Sequence, residues 1–327
     1  MTARVFVTGA AGFIGGRTVR SLRERGDQVV AIVREPTSAT ALSLRDLGVR
    51  LIAGDLGSQD EIQQAMSGSD AVIHIAGSYR VGIPRSERPA MYEANVTVAE
   101  RVLDAAIAAR IPRIVQVSTV NVFGDTRGRV VDETYRRDLT WGFLSYYDET
   151  KYLAHVATEA RMQTGAPIVI VQPGMVYGQG DHSGVGEQLQ AAFDGTAHYI
   201  GLGELGISPV HVDDVAGGII AAMDHGRIGE AYALGGENIR VDEAMAISAR
   251  AGGRRPPRLH VPTILLRMAV PFGEAAADLV GLPPNLAEVL KASDGVTYWS
   301  SHAKATAEFG YNPRALATGA VDAFARP

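Results

Sequence analysis

Cysteine is absent from the 327 residues, which excludes disulfides, thiolate zinc sites and a cysteine nucleophile. Lysine is almost absent too: Lys151, Lys291 and Lys304 are the whole supply. No basic stripe appears and the formal net charge is −5, so nucleic acid is not an expected partner. No apolar run approaches the ~18 residues that cross a bilayer, and membrane insertion is not expected. The first strand-like run begins at Arg4, leaving no room for a signal peptide; the expectation is a cytoplasmic protein. What remains is ordinary globular material, 46% hydrophobic and 20% charged, enough for one large α/β unit or two modest domains.

What is present is rhythm. Val- and Ile-rich runs at Arg4–Val7, Gln28–Val33, Arg50–Ala53, Ala71–Ile75, Ile114–Val117 and Ile168–Val171 read as strands. Helical patterns lie between them at Phe13–Arg25, Ser38–Leu47, Gln59–Met66, Asn95–Ala109 and Tyr147–Thr164. Near-continuous apolar strands alternating with amphipathic helices predict an α/β fold: a doubly wound parallel sheet (Rossmann) covered on both faces. Its ligand crevice lies at the carboxyl ends of the strands. Beyond Gly174 the pattern changes. The stretches "YGQGDHSGVG" and "GLGELG" read as loops, "HVDDVAGGIIAAM" as a strand edge and an Asp-capped helix, and "EAYALGG" as another strand. The predicted organisation is a dinucleotide-binding domain of residues 1–173 and 208–236. A smaller, mainly helical substrate-binding domain takes residues 174–207 and 237–327.

The first strand runs straight into "VTGAAGFIG", with Gly9, Gly12 and Gly15 three apart and a helix following. In that context the first glycine permits the tight turn and the second lets backbone approach a pyrophosphate. The third lets the helix pack closely on the sheet. The unpaired N–H groups and partial positive charge of the helix N-terminus suit phosphates.

One of the three lysines, Lys151, stands four residues after Tyr147 in "YDETK". That spacing puts both side chains on one face of a helix near its N-terminal end. A phenol near pKa 10 is a poor acid–base group at neutral pH, and an adjacent ammonium is expected to pull it down. A hydroxyl at the end of the fifth strand, Ser118 or Thr119, is placed to hydrogen-bond a substrate oxygen.

The stretches "TGAAGFIG", "STVNVFG", "YDETK", "PGMVYG" and "HVDDVA" together resemble the extended short-chain dehydrogenase/reductases, the NAD-dependent epimerase/dehydratase group. The likeness runs to "SSHAKATAEFGYNP" near the end. It implies an enzyme in which Tyr147 is the catalytic acid/base, Lys151 holds the nicotinamide ribose, and Thr119, five residues before Gly124, completes a triad. It also implies Asn95 near the active site, Asp55 and Leu56 beside the adenine, and a nucleotide site extended by Phe13, Ile14, Ala76, Pro173 and Val176. A homodimer through the helices at Asn95–Ala109 and Tyr147–Thr164 is implied, with Ala105, Ala106, Ala109, Ala154 and Ala157 on the faces expected to be exposed.

Departures from the family pattern narrow the choice. Val33 stands where NAD-preferring members have an acid at the end of the second strand, and Arg34 follows. A guanidinium pairs with a 2′-phosphate, so NADP(H) is favoured over NAD(H). Val120 and Asn121 replace the dehydratases' Asp-Glu pair, and Met175 and Ile207 stand where nucleotide-sugar enzymes hold a diphosphate. Ketone-reducing members, similar to dihydroflavonol reductases and 3β-hydroxysteroid dehydrogenases, fit better. The expected substrate is a small, largely apolar or modestly polar ketone or secondary alcohol. The C-terminal half also resembles hopanoid-associated sugar epimerase-like proteins, which keeps an NAD-dependent sugar epimerase as the alternative. A non-catalytic dinucleotide sensor is the second alternative.

Other features take plainer readings. No metal site is expected: beside His211, Asp213 and Asp214 no further ligand stands at metal-site spacing, and one of the two aspartates is expected to cap the helix that follows. His74 packs within the fourth strand. "RRPPR" reads as a solvated turn, with a basic contact patch as the other possibility.

Overall fold

The computed structural model describes residues 2–270 and 284–325. Six strands come first: β1 (Arg4–Thr8), β2 (Gln28–Val33), β3 (Arg50–Ala53), β4 (Ala71–His74), β5 (Ile114–Val117) and β6 (Ile168–Pro173). Beyond them lie β7 (Met175–Tyr177), β8 (Tyr199–Ile200), β9 (Gly206–Ile207), β10 (Pro209–His211) and β11 (Ala231–Leu234). Seven of these form one sheet in the order β11-β6-β5-β4-β1-β2-β3, every pair parallel. The order reverses between β1 and β4, and such a switch point opens a crevice at the carboxyl ends of the strands.

Alternate side chains of β1 explain why its run is apolar throughout. Val5 and Val7 point to one face, where Val19 and Leu22 of α1 (Phe13–Glu24) and Ile219 of α8 (Val212–His225) close over them. Phe6 points to the other, against Ile62 and Met66 of α3 (Gln59–Met66) and Val102 and Leu103 of α5 (Val98–Ala108). Phe6 is fully buried, and its truncation to Ala costs about 3–5 kcal/mol by the usual price of an aromatic cavity. A third cluster joins Val120, Val122 and Phe123, just after β5, to Leu189, Met245, Leu316 and Phe324 of the later helices. The C-terminal region therefore packs directly on the turn that carries Thr119.

The structure amends several readings. Part of "YGQGDHSGVG" is helical: α7 (Gly184–Asp194) starts there, with the Ser183 hydroxyl accepting from the Gly186 N–H at 3.1 Å. The glycines hid it, yet Gly186 is demanded by packing, since a Cβ there would lie 1.8 Å from Asp181 Oδ2. The helix expected from Asn95 begins earlier, as α4 (Arg88–Tyr92), and passes through a π-helical turn at Glu93–Thr97 before α5. Ala105, Ala106 and Ala154 are buried inside the protomer rather than exposed, because α5 packs on α3 and the sheet. Finally, α8 is capped by His211, whose Nδ1 accepts from the Asp213 N–H at 3.2 Å. Asp214 is taken by Arg314, which donates to it through Nε at 3.0 Å and through the terminal nitrogen at 2.8 Å. His74 is buried in β4 as expected, with Nδ1 2.6 Å from Thr8 Oγ1. Burial with Lys151 nearby holds its pKa down at about 3, so it is neutral.

Candidate active site

The glycine turn sits at the switch point. Gly9 has φ +72°, and a Cβ on it would meet the Ala76 N at 2.7 Å. Both the left-handed backbone and the exit of the chain from β4 therefore require glycine here. Gly15 is equally constrained, since its Cβ would lie 2.0 Å from the Gly9 carbonyl oxygen. Gly12 is pressed least: its Cβ would meet only that same carbonyl, at 3.2 Å. It is the N-cap of α1 and offers no side-chain cap, so first-turn N–H groups remain for an anion. Phe13 lies beside Gly178, whose Cβ would be 3.6 Å from its ring, and Ile14 packs on the adjoining core. Bare backbone, a helix N-terminus and a missing cap fit a dinucleotide pyrophosphate.

The remaining nucleotide candidates spread along the same edge. Ala76 follows β4, and its N–H donates to Thr8 Oγ1 at 3.4 Å. Pro173 ends β6 in the buried sheet, and Val176 pairs with Val210 in the short β7–β10 ladder. Arg34 is exposed immediately after β2, next to the buried Val33. Asp55 and Leu56 lie beyond β3, at the edge of the sheet. Asp55 uses Oδ1 to accept from the Gly57 N–H at 2.8 Å, and the Leu56 carbonyl accepts from Arg101 at 2.6 Å.

The second group lies at β5 and α6 (Tyr146–Gln163). Ser145 caps α6 by accepting from the Asp148 N–H at 3.1 Å, which fixes where the helix starts and hence the phase of Tyr147 and Lys151. Tyr147 is buried against Ile83 and Met91. Ser118 and Thr119 are not equivalent. Ser118 Oγ is 3.1 Å from His155 Nδ1, two turns along the same helix from Tyr147. Thr119 donates to Asn121 Oδ1 at 3.0 Å and accepts from the Asn121 N–H at 3.3 Å, and its hydroxyl also acts on the Tyr147 phenol.

The expected lowering of the Tyr147 pKa is not what the structure gives. Burial and the neighbouring Tyr79 phenol push it well up, while the nearby Thr119 hydroxyl pulls the other way. Lys151 does not act on it here. Its Nζ donates to the Val117 carbonyl at 3.3 Å, and burial lowers its own pKa to about 8. Desolvation thus outweighs charge pairing at both groups.

Asn95 does not touch the phenol. Its buried carboxamide accepts from the Ser78 N–H at 2.7 Å and donates to the Ser78 carbonyl and to Thr150 Oγ1, each at 3.0 Å. Thr150 in turn donates to the Tyr147 carbonyl at 3.0 Å. The π-helical turn re-aims one side chain out of helical phase, and here it delivers Asn95 between the β4 loop and α6.

Three residues escaped the sequence reading. Tyr79 stands edge-on to Tyr147, ring centroids 4.8 Å apart and planes at 88°. More than half its surface is open, yet its phenol is pushed up by desolvation and by Asp181. Asp181 stands near it after β7, and burial pushes its carboxyl up. Glu288, buried in the helix Leu286–Ser293, accepts from the Tyr146 N–H at 3.1 Å and the Gly82 N–H at 3.4 Å. None of the three stands in a spaced motif; only the fold gathers them.

Residues 5–235 match the sequence profile of the NAD dependent epimerase/dehydratase family. The chain belongs to that family. Among relatives of this epimerase/dehydratase member, a Synechocystis sp. protein named a dihydroflavonol 4-reductase is 31% identical, over 97% of this chain and 92% of its own. The 4-hydroxy-2-methyl-3-oxo-4-farnesyl-3,4-dihydroquinoline-1-oxide ketoreductase of Stigmatella aurantiaca is 29% identical, over 83% of this chain and 80% of its own. Among solved structures, gox2253 superposes with a TM-score of 0.83 at 29% identity, covering 99% of this chain and 97% of that one. A UDP-glucuronic acid 4-epimerase of Bacillus cereus, solved with NAD, gives 0.76 at 21% identity over 98% of each chain, a likeness of fold. Both superpositions run over the seven-stranded parallel sheet and the C-terminal region alike, since they cover 99% and 98% of this chain.

Proposed function

We propose that the protein is an NADP(H)-preferring oxidoreductase that interconverts a ketone and a secondary alcohol on a small, largely apolar substrate. The observation that carries this reading is the setting of Tyr147: a buried phenol, one helical turn before a buried lysine, against Ile83, Met91 and the Tyr79 ring. An apolar wall beside an acid–base pair suits a carbonyl in a hydrocarbon frame better than a sugar diphosphate. Met175 and Ile207 support the same choice, since both pack in the apolar cluster under the C-terminal helices. The acid Asp181 near Tyr79 disfavours anionic substrates. A relative 29% identical is named as the ketoreductase of a farnesylated 3-oxo-dihydroquinoline oxide, which supports a ketone as the substrate class.

In this account Gly9, Gly12 and the α1 N-terminus hold the pyrophosphate, and Arg34 pairs with a 2′-phosphate. When bound, the dinucleotide supplies or accepts the hydride. Thr119 orients the substrate oxygen, and Tyr147 gives it a proton during reduction and takes one back during oxidation. A phenol kept protonated by burial is already in the donor form. Lys151, still largely charged at neutral pH, holds the ribose. Asn95 positions the β4 loop against the catalytic helix. The test is NADPH consumption with a panel of apolar cyclic and aryl ketones. Turnover by the wild-type protein that is lost in Tyr147→Phe supports the reading; equal rates in the two proteins overturn it.

A further inference from the structure

Residues 244–273 contain five arginines and no acidic residue, in a chain whose net charge is −5. Within this stretch Leu259, Ile264, Leu265 and Met268 are each more than half exposed, as is Tyr199 beside them. The parallel ladder of β8 with the strand Leu259–His260 sets Leu259 directly against Tyr199. Ile264, Leu265 and Met268 belong to the helix Thr263–Ala269. Arg254, Arg255, Arg258 and Arg267 are exposed around this aliphatic surface. Among the described residues, acids reach its margin at Asp294, 2.6 Å from Arg267, and at Asp242, 4.0 Å from His260.

We infer that this surface docks the protein on an anionic lipid membrane. The charge pattern selects the partner. Aliphatic side chains ringed by guanidinium groups match acyl chains beneath anionic headgroups. A second copy of the chain fits worse, because a two-fold contact would set one cluster of arginines against another. Nucleic acid would leave the exposed Ile, Leu and Met with nothing to bury them. Docking of this kind is peripheral: among the described residues no helix is long and apolar enough to cross a membrane.

The surface also has a route to the active site. Arg267 joins its helix to Asp294, at the end of the helix whose Glu288 accepts from Tyr146, the neighbour of Tyr147. Under the proposed function, docking here sets the substrate-side face of the cleft toward the compartment in which an apolar ketone is dissolved. The lipid contact itself does not depend on that reading.

The test is co-sedimentation of the full chain with vesicles of mixed phosphatidylglycerol and phosphatidylcholine, and with vesicles of phosphatidylcholine alone. Binding to the mixed vesicles, weakened by salt, is expected. Ile264→Ser with Leu265→Ser lowers the bound-to-free ratio about tenfold or more, and Arg255→Glu with Arg258→Glu removes the preference for anionic lipid. Ile228→Ser, at an exposed site on another surface, leaves binding unchanged. Unaltered melting temperature and NADPH binding show that the variants fold. Failure of the wild-type protein to sediment with either vesicle overturns the inference, as does wild-type binding by the serine pair. A wild-type dimer in ultracentrifugation that the serine pair dissolves, without vesicle binding, assigns the surface to self-association instead.

Discussion

Ser118 Oγ lies 3.1 Å from His155 Nδ1, and this contact separates two adjacent hydroxyls that look interchangeable in "STV". Ser118 serves the buried His155, and under the proposed function Thr119 is the hydroxyl that meets the substrate. Thr119→Val is expected to lower kcat/KM by about 10²–10³, the usual worth of a positioned proton-handling group. Ser118→Ala keeps turnover within about threefold while costing roughly 1–2 kcal/mol of stability, because His155 loses a buried partner. Steady-state kinetics and thermal melts of the two variants check this.

Lys151 is held at a cost. Its pKa is about 8 in the fold and 10.5 unfolded, so between these values the unfolded chain binds the extra proton. Stability therefore rises as pH goes from about 8 to 10.5. At neutral pH Lys151→Met is expected to be more stable by roughly 1–2 kcal/mol, after discounting for solvent in the open cleft, and to be inactive. The reductive rate of the wild-type enzyme should fall with a midpoint near pH 8 as the ammonium is lost. Lys151→Arg, where folded and active, removes that fall. Melting curves and pH–rate profiles report both effects.

Arg34 is exposed at the end of β2, where an acid would hold ribose hydroxyls. Arg34→Ala is expected to weaken NADPH about 10- to 100-fold, the worth of a charge-assisted contact of ~1.5–3 kcal/mol. NADH binding should change by less than about threefold. Titration of nucleotide fluorescence with both cofactors measures the ratio; equal losses for the two would mean that Arg34 only stacks on the adenine.

Asn95 acts through Ser78 and Thr150. Asn95→Leu leaves a Ser78 N–H without its partner, at a cost of about 1–3 kcal/mol, and frees the β4 loop from the catalytic helix. Its kcat should fall more than its nucleotide affinity does, since the glycine turn is untouched. Parallel losses in both would make it a purely structural residue.

The proposed homodimer cannot use Ala105, Ala106 or Ala154, which are buried in the protomer. Ile107, Leu153 and Val156 are exposed large apolar residues on these helices. Leu153→Glu with Val156→Glu is therefore expected to give monomers in sedimentation velocity, without unfolding.

Elements built from local rules could be read directly from the chain. The strands of the first half follow Val/Ile runs, Gly15 answers to the Gly9 carbonyl of the same turn, and the Tyr147–Lys151 spacing is helical geometry. What escaped depends on distant partners. α7 begins among glycines, one of which is glycine only because Asp181 folds against it. The π-helical turn is invisible to a periodicity of 3.6, so the helix was read from Asn95 onward instead of from Arg88. The His211 cap lost out to two aspartates because Arg314, 100 residues later, claims Asp214. Tyr79 and Asp181 come from separate segments and meet only in the fold, as do Glu288 and Tyr146. The pKa of Tyr147 was misjudged for a related reason: spacing shows the neighbouring charge but not the burial that outweighs it.

The most direct test of the account is the nucleotide that the protein carries. The chain is purified without added cofactor and denatured, and the released dinucleotide is identified and counted by mass spectrometry. An exchanging reductase predicts NADP(H), or a protein largely free of nucleotide that binds NADPH in preference to NADH. Stoichiometric, tightly held NAD⁺ would contradict the account and point to epimerisation on a retained cofactor.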